Sequence, residues 1–410
     1  MAELLPVQKT KILFMKVCFS VSYKTYFVVI LFILFSGISY AQNIVGLPRV
    51  AVLAPLYIDS AFDNSNNYKL GTTSMPRYIL PGLDFYNGVM LAIDSLRKQG
   101  KELDVWIYDT KKKNTTIDAL AKEMNQMQFS LVIASFSSLS EQKRFSEFSF
   151  ANNIPLVSVT YPNDAYVAGN PFFIMLNSTL KTHIEGIYKN IQKTYPVAKF
   201  LYVTRNGNME DRMLNMFADV GKKTYPIKYK TVELPDNFTE EQLLPLLDSN
   251  AQNVIICGSL DETFSTNLIK TLDQSITFPV VLVGSPTWDG LRAVVRTENQ
   301  NISIVYSTPF NYIRSETALT GIAAKYKQKL SARPSDMALK GYESMFYFSS
   351  LLLQYKSDLL NNLSDTKYKI SNVFNLQPVK LESSAQVPDY IENKKLYFIT
   401  RAMGKIVSVN

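Results

Sequence analysis

Leu83-Asp-Phe-Tyr-Asn-Gly-Val-Met-Leu-Ala-Ile-Asp-Ser-Leu96 opens a stretch, running to Pro162, in which helical and strand-like phrases alternate. Phe85, Val89, Ile93 and Leu96 share one face at helical spacing, which predicts an amphipathic helix over 83–97. The strand-like phrases are Leu103-Asp-Val-Trp-Ile-Tyr-Asp-Thr110, Leu131-Val-Ile-Ala-Ser-Phe-Ser-Ser138 and Ile154-Pro-Leu-Val-Ser-Val-Thr160, preceded upstream by Arg49-Val-Ala-Val-Leu-Ala-Pro-Leu56. Strands separated by helices imply βαβ units and a parallel sheet. Ligands bind such open α/β sheets outside the carboxyl ends of the strands, and hydroxyl-rich loops stand at those ends here.

Working outward, strand-like runs recur at Phe172–Leu176, Phe200–Thr204, Lys228–Leu234, Asn253–Cys257, Phe278–Val283 and Ile302–Ser307. Helical runs lie between them near 179–194, 209–221, 239–248 and 261–272, and two more follow at 317–330 and 336–355. A terminal pair of strands, Lys395–Thr400 and Lys405–Val409, is joined by a turn at Gly404. At 410 residues the chain exceeds one ordinary core, so two lobes are expected. The loop from Tyr161-Pro-Asn163 to Gly169-Asn-Pro171 marks the first passage between them, and Pro309 a return. The expected division is 43–162 plus about 310–355 for one lobe, and 163–309 plus about 390–410 for the other.

The N-terminus reads differently. Lys9, Lys11, Lys16 and Lys24 precede the apolar run Tyr26–Phe35, and Ser39-Tyr-Ala41 follows. A basic region, a short apolar core and a small-residue cleavage site predict a secretory signal over 1–41. The expected location is therefore periplasmic or secreted, with membrane contact only through that segment if uncleaved. Removal lowers the formal charge from +8 to +5. Basic residues are nowhere denser than Lys111-Lys-Lys113, so no nucleic-acid partner is expected. Cys257 alone remains beyond the signal, and its apolar strand predicts a buried, inert thiol.

Catalytic patterns are missing. His183 is the only histidine, which excludes a multi-histidine metal site, and its helical setting predicts a face or core residue. No Gly-x-Ser-x-Gly, phosphate loop or dinucleotide fingerprint occurs, so neither an enzyme nor a cofactor is expected. Ser135, Ser137 and Ser138 follow a strand and open a helix; Ser158, Thr160 and Tyr161 repeat the arrangement at the next strand end. Two readings of these hydroxyls stand: N-caps, or donors to a ligand carboxylate at a helix N-terminus. In the second half, Arg205-Asn-Gly-Asn208, Gly258-Ser259-Leu-Asp261 and Gly284-Ser285-Pro-Thr-Trp288 lie past three further strand ends. Trp288 is placed to cover an apolar ligand part or to pack in its loop.

Together these phrases resemble the type I periplasmic binding proteins, in particular the branched-chain amino-acid (Leu/Ile/Val) substrate-binding group of ABC transporters. The resemblance spans residues 49–355 and includes the opening strand, Gly88–Leu96, Tyr108-Asp-Thr110, the Ser137-Ser138 pair, Ile154-Pro-Leu-Val-Ser158 and Gly341-Tyr-Glu343. Leu83–Gly88 with Leu91–Gly100 looks most like envelope versions from Bacteroidetes. The resemblance implies two doubly wound α/β lobes, joined by three crossing strands, that close on a small ligand like a hinge. It implies an ABC permease or an envelope protein as partner. It places Ser137 and Ser138 at the ligand carboxylate, Ser158 and Thr160 at carboxylate or amine, and Asn208 at a position often aromatic. The chain departs from the group in two places. Ser285-Pro286 stands where an acidic residue holds the ligand's ammonium, and Ala134-Ser-Phe136 replaces a Gly-Pro. The rival expectation is an envelope interaction protein with the same fold and a degenerate cleft.

Overall fold

A computed structural model describes residues 46–71 and 75–410; the expected export signal lies outside the described residues. Strands β1 (Arg49–Ala54), β2 (Asp104–Asp109), β3 (Leu131–Ala134), β4 (Leu156–Ser158) and β5 (Phe173–Met175) build the first sheet. β6 (Lys199–Thr204), β7 (Tyr229–Glu233), β8 (Asn253–Cys257), β9 (Val280–Val283) and β10 (Ile302–Thr308) build the second. The remaining strands, β11 (Leu376–Val379), β12 (Tyr390–Asn393), β13 (Tyr397–Ala402) and β14 (Lys405–Val409), divide between the two. Each sheet has seven strands, ordered β11-β12-β5-β4-β3-β1-β2 and β14-β13-β10-β9-β8-β6-β7. Pairing is parallel except at β11–β12, β10–β13 and β13–β14.

The eight longer helices among the described residues are α1 (Leu80–Lys98), α2 (Ile117–Met124), α3 (Leu139–Asn152), α4 (Leu180–Thr194), α5 (Asn208–Lys223), α6 (Glu262–Ser275), α7 (Thr317–Leu330) and α8 (Asp336–Tyr355). They pack on both faces of the sheets, so β1 and β8 are apolar runs rather than alternating ones. In the first lobe, α1 and α8 cross at backbone contact. A Cβ on Gly88 would meet the Ala338 carbonyl oxygen at 1.9 Å, and one on Gly341 the Phe85 carbonyl oxygen at 2.1 Å. No side chain fits at either position, and the two helices interlock through Phe85, Val89, Tyr342 and Met345 in one buried core.

Three details differ from the expected layout. The chain does not leave the first sheet after Pro162, because β5 still pairs with β4 in parallel; it crosses after Leu176. Residues 390–393 form β12, which pairs with β5 of the first sheet, so the C-terminal segment enters the second lobe only from β13. The run 239–248 is α-helical only at Glu240–Leu243, opened by a Thr239/Gln242 capping box. Pro245 then forces a tighter turn over Leu244–Leu246.

Candidate ligand cleft at the strand ends

Topology alone locates the crevice between the lobes. The chain crosses three times, after β5, after β10 and after β12. All three crossings leave from the carboxyl end of a strand that runs with the parallel part of its sheet: β5 is parallel to β4, β10 to β9 and β12 to β5. The carboxyl-end loops of both sheets therefore border the inter-lobe crevice, the place where open α/β sheets bind ligands.

In the first lobe this border is organised by two acids. The Asp109 carboxylate at the end of β2 accepts from the amides of Leu56 (2.9 Å), Tyr57 (3.1 Å) and Ile58 (2.8 Å), and from Lys111 N–H at 2.8 Å. These bonds hold Tyr57 in the left-handed region at φ 56°. Glu141, in the first turn of α3, is fully buried. Its carboxylate accepts from the Ser137 amide at 2.8 Å and the Ser137 hydroxyl at 3.0 Å, and pairs with Lys111 Nζ at 2.6 Å. Ser138 caps α3, its Oγ accepting from Glu141 N–H at 3.3 Å. The donors expected to meet a ligand carboxylate thus already hold one that belongs to the chain.

Neighbouring hydroxyls are engaged as well. Ser158 is fully buried, with Oγ 3.5 Å from Gln142 Oε1. Thr160 Oγ1 lies 3.2 Å from Ser135 Oγ and donates to the Phe136 carbonyl at 3.3 Å. Asn177, in the first crossing, donates to the Thr160 carbonyl at 2.6 Å. Tyr161 and Thr160 remain half-buried, and Ser137 is exposed.

The second lobe repeats the arrangement. Glu210, at the third position of α5, is buried and accepts from the Ser259 hydroxyl at 2.6 Å. Arg205, at the end of β6, holds Asp236 through two bonds of 2.5 and 2.8 Å. It also lies 3.8 Å from Glu210 and 3.9 Å from Asp261. One guanidinium therefore serves three carboxylates, and this border carries an excess of negative charge. Ser259 is fully buried, and Ser285 is buried with its Oγ 2.8 Å from Thr287 Oγ1. Ser285 lines a cavity of about 20 Å³ behind the sheet, room for about one water molecule. Asn208 is exposed at the first turn of α5.

Trp288 is not a ligand cover. It is fully buried in the second core with Leu282 and Leu291, and its ring lies 2.0 Å from where a Cβ on Gly284 would stand. Cys257 is buried, and burial pushes its thiol up to about 11, the behaviour of an inert core thiol.

The strand order thus brings Ser137, Ser138, Thr160 and Tyr161 to adjacent loops of one border. Among the described residues no hydrogen bond joins them to Asn208, Ser259 or Ser285. The residues that shape both borders, Asp109, Lys111, Glu141, Arg205 and Glu210, were not among the expected site residues. Arg205 and Asp109 stood in quoted phrases, Arg205-Asn-Gly-Asn208 and Tyr108-Asp-Thr110, without a role of their own, and Glu141 had the Ser138-x-x-Glu141 spacing of a helix start.

No protein-family model matches the sequence, and no curated protein matches it. Solved structures do. The chain is similar to a putative branched-chain amino acid ABC transporter protein from Rhodospirillum rubrum (TM-score 0.60, 13% identity, 88% of this chain and 99% of that one). It is similar to an ABC transporter substrate-binding protein from Desulfitobacterium hafniense in complex with Leu (TM-score 0.56, 12% identity, 88% and 99%). A third similar structure is a branched-chain amino acid transporter substrate-binding protein from Streptococcus pneumoniae in complex with isoleucine (TM-score 0.53, 14% identity, 89% and 99%). At these identities the likeness establishes the fold, that of the type I periplasmic binding proteins.

Proposed function

We propose that this chain is an exported, non-catalytic binding protein that takes a small polar solute between the carboxyl ends of its two sheets and delivers it to an ABC-type permease or reports its presence. The observation that carries this reading is the placement of all three crossings at carboxyl ends, which makes the strand-end loops the walls of a hinged crevice. The occupied donors refine the ligand class. With Glu141 on Ser137 and three carboxylates around Arg205, both borders favour a neutral or amino-bearing solute over a free carboxylate. Native mass spectrometry of freshly purified protein, followed by calorimetry with neutral, cationic and carboxylate solutes, tests this. A neutral or cationic solute should bind, with unchanged affinity in Ser138→Ala. Carboxylate binding that Ser138→Ala weakens would restore Ser137 and Ser138 as the anion site and overturn the refinement.

A second reading is an envelope interaction protein whose cleft no longer takes ligand. The same self-occupation in both lobes favours it, since Glu141 and Glu210 each satisfy the hydroxyl that a ligand would meet. Failure of every solute to bind, with no co-purified molecule, would select it.

A further inference from the structure

In the first lobe, α8 presents a buried carboxylate to the segment that fastens the crossings. Glu343 is 2% exposed and forms no ion pair among the described residues. One of its oxygens accepts from the amides of Ser371 (2.9 Å) and Asn372 (2.7 Å), the other from Asn372 Nδ2 at 2.6 Å. The segment so held is tied onward. Asn372 Oδ1 accepts from Asn311 N–H at 2.7 Å, and Ser371 Oγ donates to the Asn311 carbonyl at 3.2 Å. Val373 N–H donates at 3.0 Å to the hydroxyl of Tyr397, the first residue of β13. We propose that Glu343 is a proton-sensitive post of the hinge: when its carboxylate takes up a proton, Asn372 turns and the crossing after β10 is released, whatever the crevice holds.

The release follows from which groups can reverse their roles. An ionised carboxylate only accepts, and here both of its oxygens face donors. A proton on the first oxygen would point at two backbone amides, which cannot become acceptors. A proton on the second would point at Asn372 Nδ2, and of these three donors only the side-chain amide can turn. Turning it brings Oδ1 to the new O–H and NδH2 to Asn311 N–H. Donor then meets donor, and the bond between Asn311 and Asn372 is lost.

The surroundings let this carboxylate titrate where ordinary ones do not. The titratable groups facing it are hydroxyls: Tyr312 of the crossing after β10, Tyr347 of α8 and Tyr397 of β13. All three are pushed above the usual phenol range, first by burial, and stay neutral while Glu343 changes. Lys340, three residues earlier on α8, sits 4.5 Å over the Phe310 ring, and Arg314 pairs with Asp336. Burial therefore lifts the Glu343 carboxyl above its ordinary range, and the bonds from Asn372 and Ser371 offset this only in part. The folded chain thus takes up this proton before the unfolded chain does, and uptake favours the folded state. Loss of the Asn311 bond in that window is local opening, not unfolding.

The test is amide hydrogen exchange of the ligand-free full chain at pH 8 and pH 5, corrected for intrinsic exchange, with small-angle scattering at both values. Relative to the amides of β1, the Asn311 amide should lose protection by about tenfold at pH 5, the worth of one hydrogen bond. The distribution of lobe separations should broaden with it. Glu343→Gln keeps one acceptor for the two backbone amides and carries a fixed donor in place of the other oxygen, so it should show the acid pattern at both pH values. Should that variant not fold, Asn372→Ala supplies the same check, because it removes the acceptor of Asn311 N–H without touching Glu343; its Asn311 amide should be unprotected at both. Equal protection of Asn311 at the two pH values in the parent would overturn the proposal, and is the result expected if the proton is shared with the Tyr312 hydroxyl, buried without a partner. The same pH-dependent loss in Glu343→Gln, parent-like protection in Asn372→Ala, a loss that β1 shares equally, or a loss at Asn311 with unchanged scattering would overturn it too.

Discussion

At the Ser137 amide two acceptors compete: a carboxylate arriving from solvent and the Glu141 carboxylate, tethered four residues along the chain. The tethered group wins by proximity, and it is held in place by Lys111 Nζ at 2.6 Å. Removing it has a cost that can be estimated. Glu141→Ala leaves the Ser137 amide and the part-exposed Lys111 ammonium without their acceptor; the ammonium can turn to water, so the cost is that of lost charge-assisted hydrogen bonds, about 1.5–3 kcal/mol. The vacated position would then suit a small external carboxylate. Acetate should raise the melting temperature of Glu141→Ala more than that of the parent, with chloride as the control. Equal acetate effects on both proteins would show that the position does not accept an anion. The hydroxyl pattern Ser135-Phe-Ser-Ser138 was legible in the sequence, and so was its ambiguity between cap and ligand donor. What decided it was Lys111, which lies thirty residues before Glu141 in the sequence and meets it only because β2 ends near β3 through β1.

Helices were legible where their apolar spacing was strong and their ends were marked. α4 is one such element: Ile184, Ile187, Tyr188 and Ile191 are buried, and Thr179 caps it by accepting from Thr182 N–H. His183 sits in its first turn, buried, with Nδ1 2.8 Å from Ser307 Oγ of β10. Its reading as a core histidine needed only the helical setting; its partner needed the sheet. Burial pushes its pKa down from 6.5 to about 4, with Glu392 pulling weakly the other way. The imidazole is therefore neutral in the folded protein while it protonates in the unfolded chain. Between about pH 6.5 and pH 4 the unfolded state binds more protons, so stability is full above this window and falls as pH drops through it. A shift of that size corresponds to about 3 kcal/mol. Urea unfolding at pH 7 and pH 4.5 should show a larger loss for the parent than for His183→Gln, whose side chain stays neutral. Parallel losses in the two proteins would remove His183 from the acid response.

Across the whole molecule the alternation of strands and helices fixed the class of fold, but not the passage between lobes. A three-residue strand such as β5 carries no sign of which sheet it joins, and the pairing of Ile174 with Ile391 spans more than two hundred residues. That pairing places the crossing that follows β12. Asn393, at the end of β12, is fully buried. Its Oδ1 accepts from the amides of Asn375 and Lys395 at 3.0 and 3.1 Å, and its Nδ2 donates to the Leu176 carbonyl at 3.3 Å. Ser178 Oγ donates to its backbone carbonyl at 2.6 Å. One side chain thus fastens the crossing at 393–396 to the crossing at 176–179. The crossing after β10 is fastened through Asn311 N–H to Asn372 Oδ1 at 2.7 Å, with Asn372 held by the buried Glu343. Both fastenings meet in the segment 372–375, whose Val373 N–H also donates to the Tyr397 hydroxyl at 3.0 Å, so the crossings are held in register with one another. A solute that bridges both borders stabilises only the closed arrangement. Small-angle scattering should therefore show a smaller radius of gyration for the parent at solute saturation. Asn393→Ala removes the acceptor of two part-buried amides, a net loss of about 1 kcal/mol for each hydrogen bond, and releases one fastening. Its ligand-free scattering should show a broader distribution of lobe separations than the parent. Contraction in the parent together with broadening in the variant is the signature of a hinge set by Asn393. A radius unchanged by a solute that calorimetry shows to be bound would mean that the lobes do not move, and the crevice would then act as a fixed surface.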